Sequence, residues 1–196
     1  MISKEILGIV SILIVVATSV VYFRQMFQGR IKPHSFSWII WGLTTGIAAG
    51  ARTGGGVDAG AWGQWAAAGS CMICGLLALK YGEKHITRGD VVAFTAALAA
   101  IPAWIVTDNP LIAVIIVTCI DGVGYYPTIR KSYRRPHEEA MYNYVVGNVI
   151  HVLSLAATEE YTVTNTLFQI VLLVINTLLV GMIWWRRRQL RSVPAS

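Results

Sequence analysis

Charge is what this sequence has least of: Asp, Glu, Lys and Arg make up only 13% of its 196 residues, about half the share found in soluble domains. So little charge cannot cover a solvated surface, which argues against a soluble fold. Cysteine is nearly absent too. Cys71, Cys74 and Cys119 are odd in number and all fall inside apolar runs, so they read as small helix-packing residues and not as a disulfide framework. The Cys71-x-x-Cys74 pair lacks the two further ligands a zinc site needs, and neither a metal nor a cofactor is expected. There is no HExxH or GxSxG pattern, and Ser70 has no evident base, so no enzymatic activity is expected. The last apolar run contains no lysine to form a Schiff base, which sets retinal proteins aside. The net charge of +6 sits in short loops, where membrane orientation explains it, and a nucleic-acid partner is not expected.

What the chain has instead is apolar sequence. Hydrophobic residues make up 55% of it, and its mean hydropathy is +0.58. A bilayer core asks for about 20 apolar residues per helix, with a usable range of about 17–25. Seven runs come close, at 6–23, 36–51, 59–79, 91–106, 111–126, 140–157 and 163–185. The expectation is an all-α membrane protein with seven transmembrane helices, and with the lipid bilayer as its first partner. The run at 6–23 starts with Lys4 and Glu5, is followed by Arg24, Arg30 and Lys32, and has no A-x-A site after it. It reads as a retained helix and not as a signal peptide.

The loops after runs one, three and five carry Arg24/Arg30/Lys32, Lys80/Lys84/Arg88 and Arg130/Lys131/Arg134/Arg135, and the tail adds Arg186, Arg187, Arg188 and Arg191. The opposite loops hold Arg52 with Asp58, then Asp108, then Glu159 with Glu160. Basic residues gather on the cytoplasmic side, so the N-terminus is expected outside and the C-terminus inside, in a bacterial cytoplasmic membrane. Trp184 and Trp185, just before the arginines, fit an interfacial anchor.

A displacement of 103 residues lays Pro33-His34 on Pro136-His137, Tyr22 on Tyr125 and Trp41 on Tyr144. Helices one to three thus match helices five to seven. Because three is odd, a fourth helix, with Pro102 inside it, has to reverse the chain between the copies. The expected plan is 3+1+3: two parallel three-helix bundles (1–82 and 109–188) joined by an inversion helix (83–108), with a tail at 189–196, all in one membrane domain.

A polar residue at membrane depth is costly, and it usually faces the bundle interior or a water-filled cavity. Helix six carries Tyr144, Asn148 and His151 at i, i+4, i+7, and the counterpart on helix two is Trp41, Thr45 and Ala48. On helix seven, Asn165, Gln169 and Asn176 lie within about 40° of one another at about 100° per residue. The matching positions on helix three are Gly60, Gln64 and Cys71. If these stripes converge, Trp41, Thr45, Gln64, Tyr144, Asn148, Gln169 and Asn176 would bind a small polar solute. If they do not, the same amides and hydroxyls hydrogen-bond across helices as packing contacts. Asp121, within helix five beside Gly122 and Gly124, is either a working carboxylate or one fixed by Arg130 or a neighbouring helix. His151 is either a second proton-handling group or a satisfied structural histidine. In helix two, Gly42-x-x-x-Gly46-x-x-x-Gly50 permits close backbone approach, either inside its own bundle or across a homo-oligomer. Gly54-Gly55-Gly56 reads as a flexible outer turn. The two Pro-His pairs are expected to start helices two and six, with Glu138 and Glu139 favouring the positive end of helix six.

With Tyr126-Pro127-Thr128 ending helix five, the basic Arg130-Lys131-Ser132 turn, and the weaker Phe23-Arg24-Gln25 and Phe36-Ser37-Trp38 in the first half, the chain resembles the SWEET and PQ-loop transporters. The resemblance implies a carrier or facilitator for a small polar metabolite such as a sugar, amino acid or vitamin-like solute, working by alternating access. It also implies proton coupling as one option, with Asp121, His151 and Pro127 in the coupling or gating group. A function of another class is a non-transporting seven-helix protein, either a sorting receptor or an accessory subunit of a larger membrane complex.

Overall fold

The computed structural model describes residues 3–53, 58–107 and 109–191; the triple-glycine turn and Asp108 lie outside these. Seven α-helices follow one another: α1 (Lys4–Phe27), α2 (Ser35–Thr53), α3 (Trp62–Tyr81), α4 (Arg88–Thr107), α5 (Pro110–Arg134), α6 (Met141–Ala156) and α7 (Val163–Arg191). The described residues contain no strand. Each helix falls on one of the seven apolar runs. Among the described residues, four spans are long and apolar enough to cross a membrane: Lys4–Phe27, Ala59–Tyr81, Pro110–Arg134 and Val163–Leu190.

Local chemistry sets several helix ends. The Ser3 side chain accepts from the Ile6 amide at the start of α1. Asn109 caps α5, its side chain accepting from the Leu111 and Ile112 amides, and Pro110 follows at the first helical position, where its missing N–H costs nothing. The Pro136-His137 pair does not open α6 as expected. It forms a short 3₁₀ turn, Pro136–Glu138, and the helix starts at Met141, because Glu139 is drawn into a buried ion pair with Lys131 at 2.6 Å.

The exterior is strongly apolar, and several polar side chains are buried. Val20 is 63% exposed and Leu178 69%, whereas Asp121 and Gln169 are fully buried. Large aliphatic side chains such as Leu13, Leu76, Ile115 and Val174 face outward on four different helices, an apolar exterior far beyond what water tolerates.

Helix α2 packs on α3 and α5, α1 on α3 and α6, α7 on α6 and α5, and α4 on α5. Ion pairs and hydrogen bonds identify the two ends of the bundle. Lys4 reaches Glu159 at 2.8 Å at one end, and Arg52, at the C-terminal end of α2, reaches Ser154 and Thr158 there. At the other end Lys32 meets Glu138, Arg130 meets Asp90 and Arg135 meets Glu83. Each helix therefore runs opposite to the one before it.

Gly42 is required where α2 crosses α3: a Cβ there would lie 2.9 Å from the Met72 amide nitrogen and 3.3 Å from the Ala68 carbonyl oxygen. Gly46 and Gly50 face the same helix, against Ala68 and Trp65. The small-residue stripe thus serves packing inside the chain.

Candidate functional site

A partly open cavity of about 130 Å³ lies among α1, α2, α3, α5, α6 and α7. Seven of the ten residues expected to form a site line it: Trp41 and Thr45 from α2, Gln64 from α3, Asp121 from α5, Tyr144 and His151 from α6, and Asn176 from α7. The other three do not. Asn148 is turned toward α7, its side-chain amide donating to the Thr177 hydroxyl at 3.0 Å. Gln169 is fully buried and donates to the Ser154 hydroxyl at 3.3 Å. Pro127 is buried within α5, closer to that helix's C-terminal end.

An aromatic cluster forms one wall. The Trp41 ring lies 5.5 Å from Trp38, 4.7 Å from Tyr125 and 6.2 Å from Tyr144, centroid to centroid. Gly124 makes room for it, since a Cβ there would sit 3.3 Å from the Trp41 indole nitrogen. The Tyr125 hydroxyl donates to the Asn176 side-chain oxygen at 2.6 Å. Trp38 and Tyr125 were not among the expected site residues. Both were legible, because each lies one turn from a residue that was.

Of the two partners that could fix Asp121, Arg130 does not reach it, and a neighbouring helix, α2, contacts it through Thr44. One of its oxygens accepts the Thr44 hydroxyl, and Arg130 is engaged by Asp90 at 2.6 Å instead. The Thr44 hydroxyl also lies 3.0 Å from the Ile40 carbonyl oxygen. Among the described residues, seventeen buried side-chain polar atoms have no hydrogen-bond partner, and five of them belong to side chains that line the cavity: the second Asp121 oxygen, the indole nitrogens of Trp38 and Trp41, the Gln64 amide nitrogen and His151 Nδ1. The others, such as the Tyr22, Thr128 and Ser132 hydroxyls, lie elsewhere in the bundle.

Two polar networks lie above and below. Arg52, counted as a loop charge from sequence, is buried, with a side chain 1% exposed, and contacts Asp58 at 2.8 Å. It also donates to Gln64 Oε1 at 2.9 Å and Ser154 Oγ at 2.8 Å. At the other end Lys131 pairs with Glu139 and donates to the Lys32 and Glu138 carbonyls. Glu139 in turn accepts the Tyr144 hydroxyl at 3.1 Å. Gln64 and Tyr144 therefore each touch both the cavity and one network. Glu139, expected to act on the helix-six dipole, works in this network instead. Apart from the pairs with a charged neighbour, nothing in the sequence marks Arg52 or Lys131 as buried.

At the Lys131 end, His34 Nε2 lies 3.5 Å from Asp90 Oδ2, with both side chains buried. Burial pulls the His34 imidazole below its ordinary range, with Asp90 opposing and Arg130 reinforcing. Burial alone would raise Asp90, but hydrogen bonds from Thr87 and the charges of His34 and Arg130 outweigh it and hold the carboxyl low.

The described residues contain no group of three side chains able to hold a metal ion. Comparisons with protein-family models, with curated proteins and with solved structures find no match to this chain.

Proposed function

We propose that the protein is a membrane carrier or facilitator for a small polar metabolite, working by alternating access around this cavity. The observation that carries the reading is Asp121, a fully buried carboxyl with one oxygen unpartnered, in the lining of a cavity it shares with aromatic and amide side chains. In an apolar surrounding such a group is costly unless something binds it.

All seven helices span the bilayer in this reading. Helices α2, α4 and α6 fall outside the set of long apolar spans; α6 has only 16 residues, and α2 carries hydroxyl, indole and arginine side chains along its length. The packing pairs support parallel repeats. Exchanging α1 with α5, α2 with α6 and α3 with α7 turns the α2–α5 contact into α6–α1 and the α2–α3 contact into α6–α7, with α4 as the reversing helix. The basic end of the bundle is cytoplasmic, which puts the N-terminus outside. The Arg52 network then closes the outer side and the Lys131–Glu139 network the inner side. Opening either one exposes the cavity to that side, and Asp121 couples the cycle to protons.

The test is uptake into proteoliposomes over a panel of sugars, amino acids and vitamins, with and without a proton gradient. Gradient-driven uptake that Asp121→Asn abolishes is expected. If no member of the panel moves, the carrier reading fails; if the variant leaves driven uptake unchanged, the coupling role of Asp121 fails.

A non-transporting receptor or subunit is the second reading. Tyr125–Asn176, Asn148–Thr177 and Gln169–Ser154 favour it, since these pairs bond stripe residues to one another or to neighbouring helices.

A further inference from the structure

We propose that the cavity selects a small organic cation, a protonated or quaternary amine that also carries an acceptor oxygen, and that this cation and a proton compete for Asp121. The inference rests on reading the cavity as a solute site, and it names the class of solute.

The argument starts from charge. Asp121 is fully buried, one oxygen takes only a neutral hydroxyl from Thr44, and the other has no partner. No lysine or arginine lines the cavity, and the basic residue nearest along α5, Arg130, is committed to Asp90. A carboxylate in such a place must be neutralised, and only a proton or a cation from solution is left to do it.

The aromatic wall beside Asp121 narrows the choice of cation. Trp38, Trp41, Tyr125 and Tyr144 gather around the same space, with Trp41 4.7–6.2 Å from its three neighbours. Aromatic faces attract alkylammonium groups, an attraction that strengthens once water is excluded. The unpartnered donors on Trp38, Trp41 and Gln64 call for an oxygen on the same solute. The Gln64 amide is oriented unambiguously, because its oxygen accepts from Arg52.

Among the remaining groups around Asp121, none bonds to its free oxygen. Helix α3 presents Cys71, α5 itself presents Tyr125, and α6 presents Tyr144 and His151. Helix α2 offers Thr44 and α7 offers Asn176, neither of which titrates. On α4 the buried acid, Asp90, is held by Arg130 and lies beside His34. Asp121 is thus the one carboxylate in the cavity lining. Because it can hold either a proton or the amine, binding one releases the other, and the carrier exchanges them across the membrane.

The experiment is equilibrium binding to purified full-length protein in detergent, read by intrinsic tryptophan fluorescence. The probes are choline, its uncharged isostere 3,3-dimethyl-1-butanol, and glucose. Choline is expected to bind saturably, to release protons into weakly buffered solution, and to lose roughly tenfold in affinity per pH unit once the carboxyl is protonated. The isostere and glucose should bind at least roughly tenfold more weakly, as a lost cation contact of about 1.4 kcal/mol implies. Asp121→Asn should lose both the affinity and its pH dependence, and Asp121→Glu, the check against misfolding, should keep the pH dependence. Equal binding of choline and its isostere, or choline binding that Asp121→Asn leaves unchanged, would overturn the proposal. Flux of a neutral solute without choline binding sinks the cation site and leaves the carrier; choline binding without any flux does the reverse.

Discussion

Asp121 and Arg52 are both buried charges, yet only one was visible in the sequence. Asp121 stands alone inside an apolar run, and the cost of a charge at that depth marks it at once. Arg52 sits at the boundary between a helix and a glycine-rich loop, where an arginine usually points to water. What buries it is a set of partners from three other parts of the chain, Asp58, Gln64 and Ser154, and no periodicity connects those. Replacing Arg52 with methionine should cost about 3–5 kcal/mol by leaving Asp58 buried and unpaired. Thermal unfolding in detergent measures this, and the double variant Arg52→Met/Asp58→Leu should recover part of the loss. His34 gives a second residue-scale expectation. Its folded-state pKa lies below the ordinary 6.5, so the unfolded chain takes up a proton more readily. The stability held by neutral His34 is complete above 6.5 and declines as pH falls through that value toward the lowered folded one. Asp90 is shifted down from 3.8 and adds its own loss only in stronger acid. A melting profile between neutral and mildly acidic pH should slope downward toward acid, and His34→Gln should flatten that slope.

At the scale of elements, sequence reasoning placed all seven helices because apolar length is a strong signal, and it missed boundaries set by single side chains. The Asn109 cap and the Glu139–Lys131 pair, which moves the start of α6 to Met141, are of that kind. Two of the three helix-six stripe residues share the cavity. Tyr144 and His151 line the cavity, but Asn148 rotates onto Thr177, because α7 supplies a hydroxyl on that side and the 100° wheel does not say where the neighbours are. Helix α2 was legible as a packing helix through its glycines, and within the chain that stripe packs on α3. Gly42→Val should destabilise by about 1–3 kcal/mol through overpacking against α3, while Gly46→Ala, whose new Cβ would meet Ala68 at an ordinary 3.7 Å, should be tolerated. Neither should change the oligomeric state in size-exclusion chromatography with light scattering. A shift in mass for Gly42→Val would mean that the stripe serves another copy of the chain.

For the whole molecule, the 103-residue displacement is the source of the proposed exchange of α1–α3 with α5–α7, whereas the paired networks at the two ends depend on contacts between residues about a hundred positions apart. Orientation can be checked independently of any solute. In a background lacking the native cysteines, Glu160→Cys should react with an impermeant maleimide applied to intact cells, and Gly29→Cys should react only after the membrane is opened. The reverse pattern would invert the topology. If the cavity opens in turn to each side of the membrane, the chain carries its own probe of that opening, since Cys71 is a free cysteine in the cavity lining. The direct measurement is the rate at which an impermeant methanethiosulfonate modifies Cys71 in a Cys74→Ala/Cys119→Ala protein, added first to the outer and then to the inner face of sealed vesicles. Modification from both faces, slowed when bound solute fills the cavity, is the result expected; a thiol that reacts from neither face, or from one face alone, would contradict alternating access.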